Sequence, residues 1–82
     1  MVTQSTLAML DMKSIEEYYA YIIDSKINGQ HAQSIELFNQ LSDKQKDQMF
    51  DWIEEAYYYE ANDTNSNLAD EVDELKQYFK KQ

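Results

Sequence analysis

Apolar residues recur at three- and four-residue steps through most of this chain, and that period predicts helices rather than strands. Between residues 14 and 28, Ile15, Tyr18, Tyr19, Ile22, Ile23 and Ile27 mark one apolar face. Ser14 and Glu17 stand at capping-box spacing, where the serine oxygen accepts from a first-turn amide and the glutamate reaches back. Asn28-Gly29 predicts the end of this helix, because glycine adopts the left-handed conformation without a Cβ clash. A shorter helix is expected at 31–40, with Ile35, Leu37, Phe38 and Leu41 as its apolar contacts. Ser42 and Gln45 repeat the capping pattern and open a helix expected to reach Ala61. Its core stripe is Met49, Phe50, Ile53, Ala56 and Tyr57, with Trp52 and Tyr59 on one flank. The polar run 62–67 reads as a loop, and Ser66 or Asn67 caps a last helix whose Leu68, Val72, Leu75 and Phe79 face inward. Asp70 and Glu71 suit the positive start of that helix, and Lys80 and Lys81 suit its negative end.

Residues 1–13 carry Leu7, Met9, Leu10 and Met12 and are expected to form a short leading helix or an apolar arm. Met12 is an alternative start, which would make 1–11 an extension. The expected fold is all-α: one domain over 14–82, a compact bundle of three main helices plus a shorter one. At 82 residues such a core supplies only ~3–5 kcal/mol, so a partner or self-association has room to matter. The chain has no cysteine, which excludes a disulfide scaffold, a thiolate metal site and a cysteine nucleophile. It has no proline and one glycine, so tight β-hairpins are not expected.

Charge changes the picture more than composition does. Sixteen acids against seven lysines, with no arginine, give a net charge of −9. Residues 51–74 hold nine of those acids and no base, and the rest of the chain is balanced. Such a field repels nucleic-acid phosphates and anionic membranes and attracts basic partners. The candidate partner-binding residues are Asp47, Asp51, Trp52, Glu54, Glu55 and Tyr58 on the helix from 43, with Asp70, Asp73 and Glu74 on the last helix. A solvated helix exterior would explain ordinary charges there. Like charges four residues apart (Asp47/Asp51, Asp51/Glu55, Asp70/Glu74) each cost a few tenths of a kcal/mol, however, and a surface tuned for solubility intersperses both signs. Trp52 and Tyr58 among the acids are anchor candidates, since aromatics bury large area at low entropic cost. The expected function is a protein-binding module, an inhibitor or modulator of a partner with a basic surface. Replacing Asp51, Glu54 and Glu55 by lysine is expected to leave folding intact and to weaken that binding strongly, most of all at low salt.

Two alternatives follow from the same residues. Carboxylates ~5–6 Å apart along a helix approximate the spacing of phosphates, so the chain can act as a nucleic-acid mimic in a DNA- or RNA-binding groove. In charge and size it is similar to small acidic viral inhibitors of restriction, CRISPR and repair enzymes, without matching the motif of any one. The other alternative is a structural or assembly subunit that forms a homodimer through an apolar helix face.

Asp63, Asn65, Asn67, Glu71 and Glu74 fall at calcium-loop positions, but Leu68 replaces the required glycine and Asp70 a usual aliphatic residue. No metal is expected there. His31 is the only histidine, and no nucleophile, base and orienting group assemble around it. A non-enzymatic protein without a cofactor is expected. The longest apolar run, Tyr18 to Ile23, is six residues, and no basic leader precedes an apolar stretch. A cytoplasmic location, with no membrane contact, is the resulting expectation.

Overall fold

Local capping chemistry sets most of the helix boundaries. The computed structural model describes residues 1–57 and 68–82, with the backbone alone at 56, 57 and 68–71. Its elements are α1 (Gln4–Met9), α2 (Ile15–Ile27), α3 (His31–Asn39), α4 (Asp43–Trp52), a π-helical turn (Ile53–Tyr57) and α5 (Leu68–Lys80). The protein is all-α, and no strand occurs among the described residues. The expected loop at 62–67, the caps Ser66 and Asn67, and Tyr58 and Tyr59 lie outside the described residues.

The N-terminal segment resolves to a helix. Thr3 caps α1, its hydroxyl accepting the Thr6 amide at 3.2 Å, while the Thr6 hydroxyl accepts the Thr3 amide at 3.3 Å. The helix ends when the Met12 amide donates to Leu7 at 2.8 Å and the Asp11 amide to Ala8 at 3.1 Å. That is a Schellman closure, with Asp11 at φ 57° where glycine is usual.

At α2 the expected capping box does not form. The Ser14 side chain makes no capping bond. Glu17 instead accepts from the Lys13 amide at 2.5 Å, one residue earlier than the box requires. The turn leaving α1 presents the Lys13 amide to the carboxylate that the box would have aimed at the Ser14 amide. The far end behaves as expected: Gly29 sits at φ 84°, its amide donating to Lys26 at 3.1 Å and that of Gln30 to Ser25 at 2.8 Å. Ile27, expected on the core face, is instead 61% exposed. The chain turns away over 28–30 before any element covers it.

Two serines decide how α2 meets α3. Ser25 and Ser34 are buried, each with a polar partner: the Ser34 hydroxyl donates to the His31 carbonyl at 2.7 Å, and Ser25 accepts from Gln33 Nε2 at 3.2 Å. Small side chains let two helix backbones approach closely, which the apolar pattern alone does not reveal. Of the expected α3 contacts, Phe38 and Leu41 are buried, while Ile35 and Leu37 are half-buried.

Ser42 and Gln45 do form the predicted box, with bonds of 3.2 and 3.0 Å. Gln45 also clips the N-terminus: its Oε1 accepts the Val2 amide at 3.0 Å and its Nε2 donates to the Val2 carbonyl at 2.6 Å. The core joins every helix. Val2, Leu7, Tyr18, Tyr19, Ile22, Ile23, Phe38, Leu41, Met49, Ile53, Val72, Leu75 and Phe79 are all buried. Phe50, expected in the stripe, is half-buried, and Ala56, Tyr57 and Leu68 have no described side chain. The Cα radius of gyration is 12.4 Å, close to the ~12 Å expected for a compact chain of this length.

Tyr18 gives the core a measurable alkaline limit. Its ring is fully buried and its hydroxyl donates to the Leu37 carbonyl at 2.7 Å. Burial raises its pKa above the ordinary value, and burial followed by the charge of Glu16 does the same for Tyr19. The unfolded chain therefore ionises first. The stabilisation is complete below the ordinary tyrosine range, ~10, and is lost as pH rises through the folded value. Tyr18→Phe is expected to lose about 1 kcal/mol near neutrality. Because phenylalanine cannot ionise, its deficit against the parent should narrow in alkali. Urea midpoints of both proteins across the pH range check this, and a constant deficit would mean that Tyr18 titrates normally.

Candidate interaction surface

The fold places lysines beside several acids that the sequence sets apart from any base. Glu54, in the π turn, pairs with Lys76 of α5, the one ion pair among the described residues. The Lys76 side chain is 16% exposed and that of Glu54 55%, so the contact seals an edge of the core with its lysine stem inward. The Lys76 hydrogen bond, then its charge, holds the Glu54 carboxyl below its ordinary value. The pair consequently favours the folded state above the ordinary carboxylate range, and its contribution disappears as pH falls through the folded value. Glu54 is thus a structural tie, and reversing it to lysine would set two ammonium groups together.

Other lysines lie over aromatic rings. Lys26 sits 4.8 Å from the Tyr78 ring centre, Lys46 5.1 Å from Phe38 and Lys80 5.5 Å from Phe50. These contacts bring positive charge next to predicted site residues. Asp73 and Glu74 line an open groove of about 450 Å³ together with Lys26, Tyr78 and Lys81. Asp47 shares a groove of about 250 Å³ with Asp43, Lys46, Phe50 and Lys80. Asp51 and Glu55 are exposed and line neither groove.

Trp52 is half-buried against the core, its ring centre 5.7 Å from that of Tyr19. That placement gives it a packing role. Tyr58 lies outside the described residues, as does the side chain of Asp70. Asp47, Asp51 and Glu55 follow one another at four-residue steps along α4 and the π turn, all exposed. Among the described candidates, these three form an exposed ridge, Glu54 is tied to Lys76, and Asp73 and Glu74 line a mixed-charge groove. Sequence spacing reveals the ridge. It carries no signal for the lysines, which come from residues 26, 46, 76, 80 and 81 and meet the acids only in three dimensions.

His31 opens α3, its ring centre 6.1 Å from that of Tyr78, with 3.5 Å between Nδ1 and the Tyr78 hydroxyl. No helix among the described residues is long and apolar enough to cross a membrane. No protein-family model matches the chain, and neither a curated protein nor a solved structure does.

Proposed function

We propose that this chain is a small acidic helical binding module that docks onto a basic protein surface and modulates or inhibits its owner. The supporting observation is the exposed ridge Asp47–Asp51–Glu55, three carboxylates without an ion-pair partner among the described residues. Three like charges on adjacent turns oppose helix formation by a few tenths of a kcal/mol per pair. A cationic partner removes that repulsion on binding, so the ridge is complementary to lysine or arginine at matching spacing. Exposed charges of this kind raise association rates and specificity more than they raise raw affinity.

The spacing also favours a narrower version of the same reading. Carboxylates one helical turn apart stand ~5–6 Å from each other, near the repeat of nucleic-acid phosphates, so a DNA- or RNA-binding groove is the partner surface best suited to the ridge.

The test is affinity capture with the full chain at low ionic strength, then titration of the identified partner across salt concentrations. Affinity should fall steeply as the Debye length drops from ~10 Å at 0.1 M toward ~3 Å at 1 M. A partner that binds equally well at all salt concentrations would place the interface on apolar surface instead. Competition by duplex DNA or RNA for the captured partner separates the mimic from a general basic-surface binder.

A further inference from the structure

We propose that the N-terminal arm, residues 1–9, exchanges between two copies of this chain to build a dimer. Three observations carry it. The first is the receiving site. Val2 is buried, and its amide and carbonyl both pair with the side-chain amide of Gln45, at 3.0 and 2.6 Å. Leu7 is buried a helical turn and more further on. A second copy supplies an identical arm, so every one of these contacts is kept when arms are traded.

The second observation is the hinge. Residues 10–14 separate α1 from α2, and the turn depends on Asp11 at φ 57°. A residue with a Cβ pays for that left-handed conformation, and glycine does not. Neither glycine nor proline occurs from residue 1 to residue 27, so nothing in the covalent chain prevents α1 and α2 from joining into one continuous helix. Straightening the hinge releases the strain at Asp11, and short strained hinges are the ones that swap.

The third observation is apolar surface beside the hinge. Met9 is 87% exposed and Leu10 42% in the closed chain. Where two opened hinges run past one another, these side chains gain a partner. Opposing all this is a charge of −9 on each copy. Salt therefore strengthens the exchanged dimer, the reverse of its effect on docking to a basic partner, so the two readings stand or fall separately.

The experiment refolds the full chain from denaturant at millimolar concentration in low and high salt, and measures mass by sedimentation. A mixture of ¹⁵N-labelled and ¹³C-labelled chains, refolded together, then shows whether the Val2–Gln45 contact is made between chains. The expected result is a salt-favoured dimer with an interchain Val2–Gln45 contact. Asp11→Gly relaxes the closed turn in both protomers and should weaken dimerisation about tenfold. A monomer under every condition would overturn the proposal, as would a dimer whose Val2–Gln45 contacts are all within one chain. A dimer equally stable with Asp11→Gly would remove the hinge from it. Parent and glycine variant both keep a turn they can adopt, so neither arm of the test depends on a damaged fold.

Discussion

Phe79→Ala is expected to leave the chain largely unfolded at room temperature. Phe79 is 1% exposed, and its ring centre lies 5.0 Å from those of Phe38 and Tyr78. It is the last buried residue of α5 and holds that helix against α3. Truncating a buried phenylalanine costs about 3–5 kcal/mol, from lost transfer energy and from the cavity left behind. A core of this size supplies about the same amount in total. Circular dichroism should show most of the helical signal gone and no cooperative melt. Phe79→Leu, which keeps most of the volume, should stay folded with a lowered melting temperature. The contrast is Ile27→Ala, where the side chain is 61% exposed and the change should lie within ~0.5 kcal/mol of zero. Equal effects at the two positions would mean that α5 does not complete the core.

Ile27 also shows what the pattern of apolar residues does and does not encode. Period predicts α2 correctly, because Tyr18, Tyr19, Ile22 and Ile23 are buried as it requires. It assigns Ile27 to the same face because periodicity has no knowledge of where the next element lies. That depends on the turn at Gly29 and on the small buried pair Ser25 and Ser34, and polar residues on a helix do not advertise themselves as contact points. The two capping boxes make the same point from opposite sides. Ser42 and Gln45 are reinforced by a distant partner, Val2, so local and tertiary preferences agree. At Ser14 the nearby Lys13 amide draws Glu17 away, and the local motif loses to the turn preceding it. The π turn at 53–57 leaves no mark in a run of ordinary helix formers.

The same limit applies to the candidate surface. Counting acids along the chain isolates 51–74 as one-signed, yet the fold pairs Glu54 with Lys76 and sets Lys26 and Lys81 beside Asp73 and Glu74. Linear charge density is a property of sequence, whereas the field a partner meets depends on which long side chains fold back. Lysine is well suited to that, since its stem packs on apolar surface while its ammonium reaches an aromatic face or a carboxylate. Among the described acids, Asp47, Asp51 and Glu55 stay exposed and outside the one ion pair.

Asp47→Lys/Asp51→Lys/Glu55→Lys is therefore the variant expected to weaken partner binding strongly at low salt while leaving the fold in place. All three side chains are exposed, none takes part in the one ion pair among the described residues, and like charges at four-residue spacing remain like charges after reversal. Helicity and melting temperature should stay close to the parent. Each exposed contact with a basic surface is worth ~0.2–1 kcal/mol, and reversal replaces attraction by repulsion at each site. Affinity at low salt should then drop on the order of tenfold to a thousandfold, mostly through slower association. The gap should close as ionic strength rises, because screening removes the repulsion from the variant and the attraction from the parent together. Glu54→Lys provides the opposite signature: it breaks the tie to Lys76, so its loss should appear in thermal stability before it appears in binding. Titrations of parent, triple variant and Glu54→Lys against the captured partner, alongside thermal melts of each, distinguish the cases. Undiminished binding by the triple variant would identify Asp47, Asp51 and Glu55 as solvated exterior. If Glu54→Lys lost binding without losing stability, Glu54 would belong to the binding surface together with the ridge.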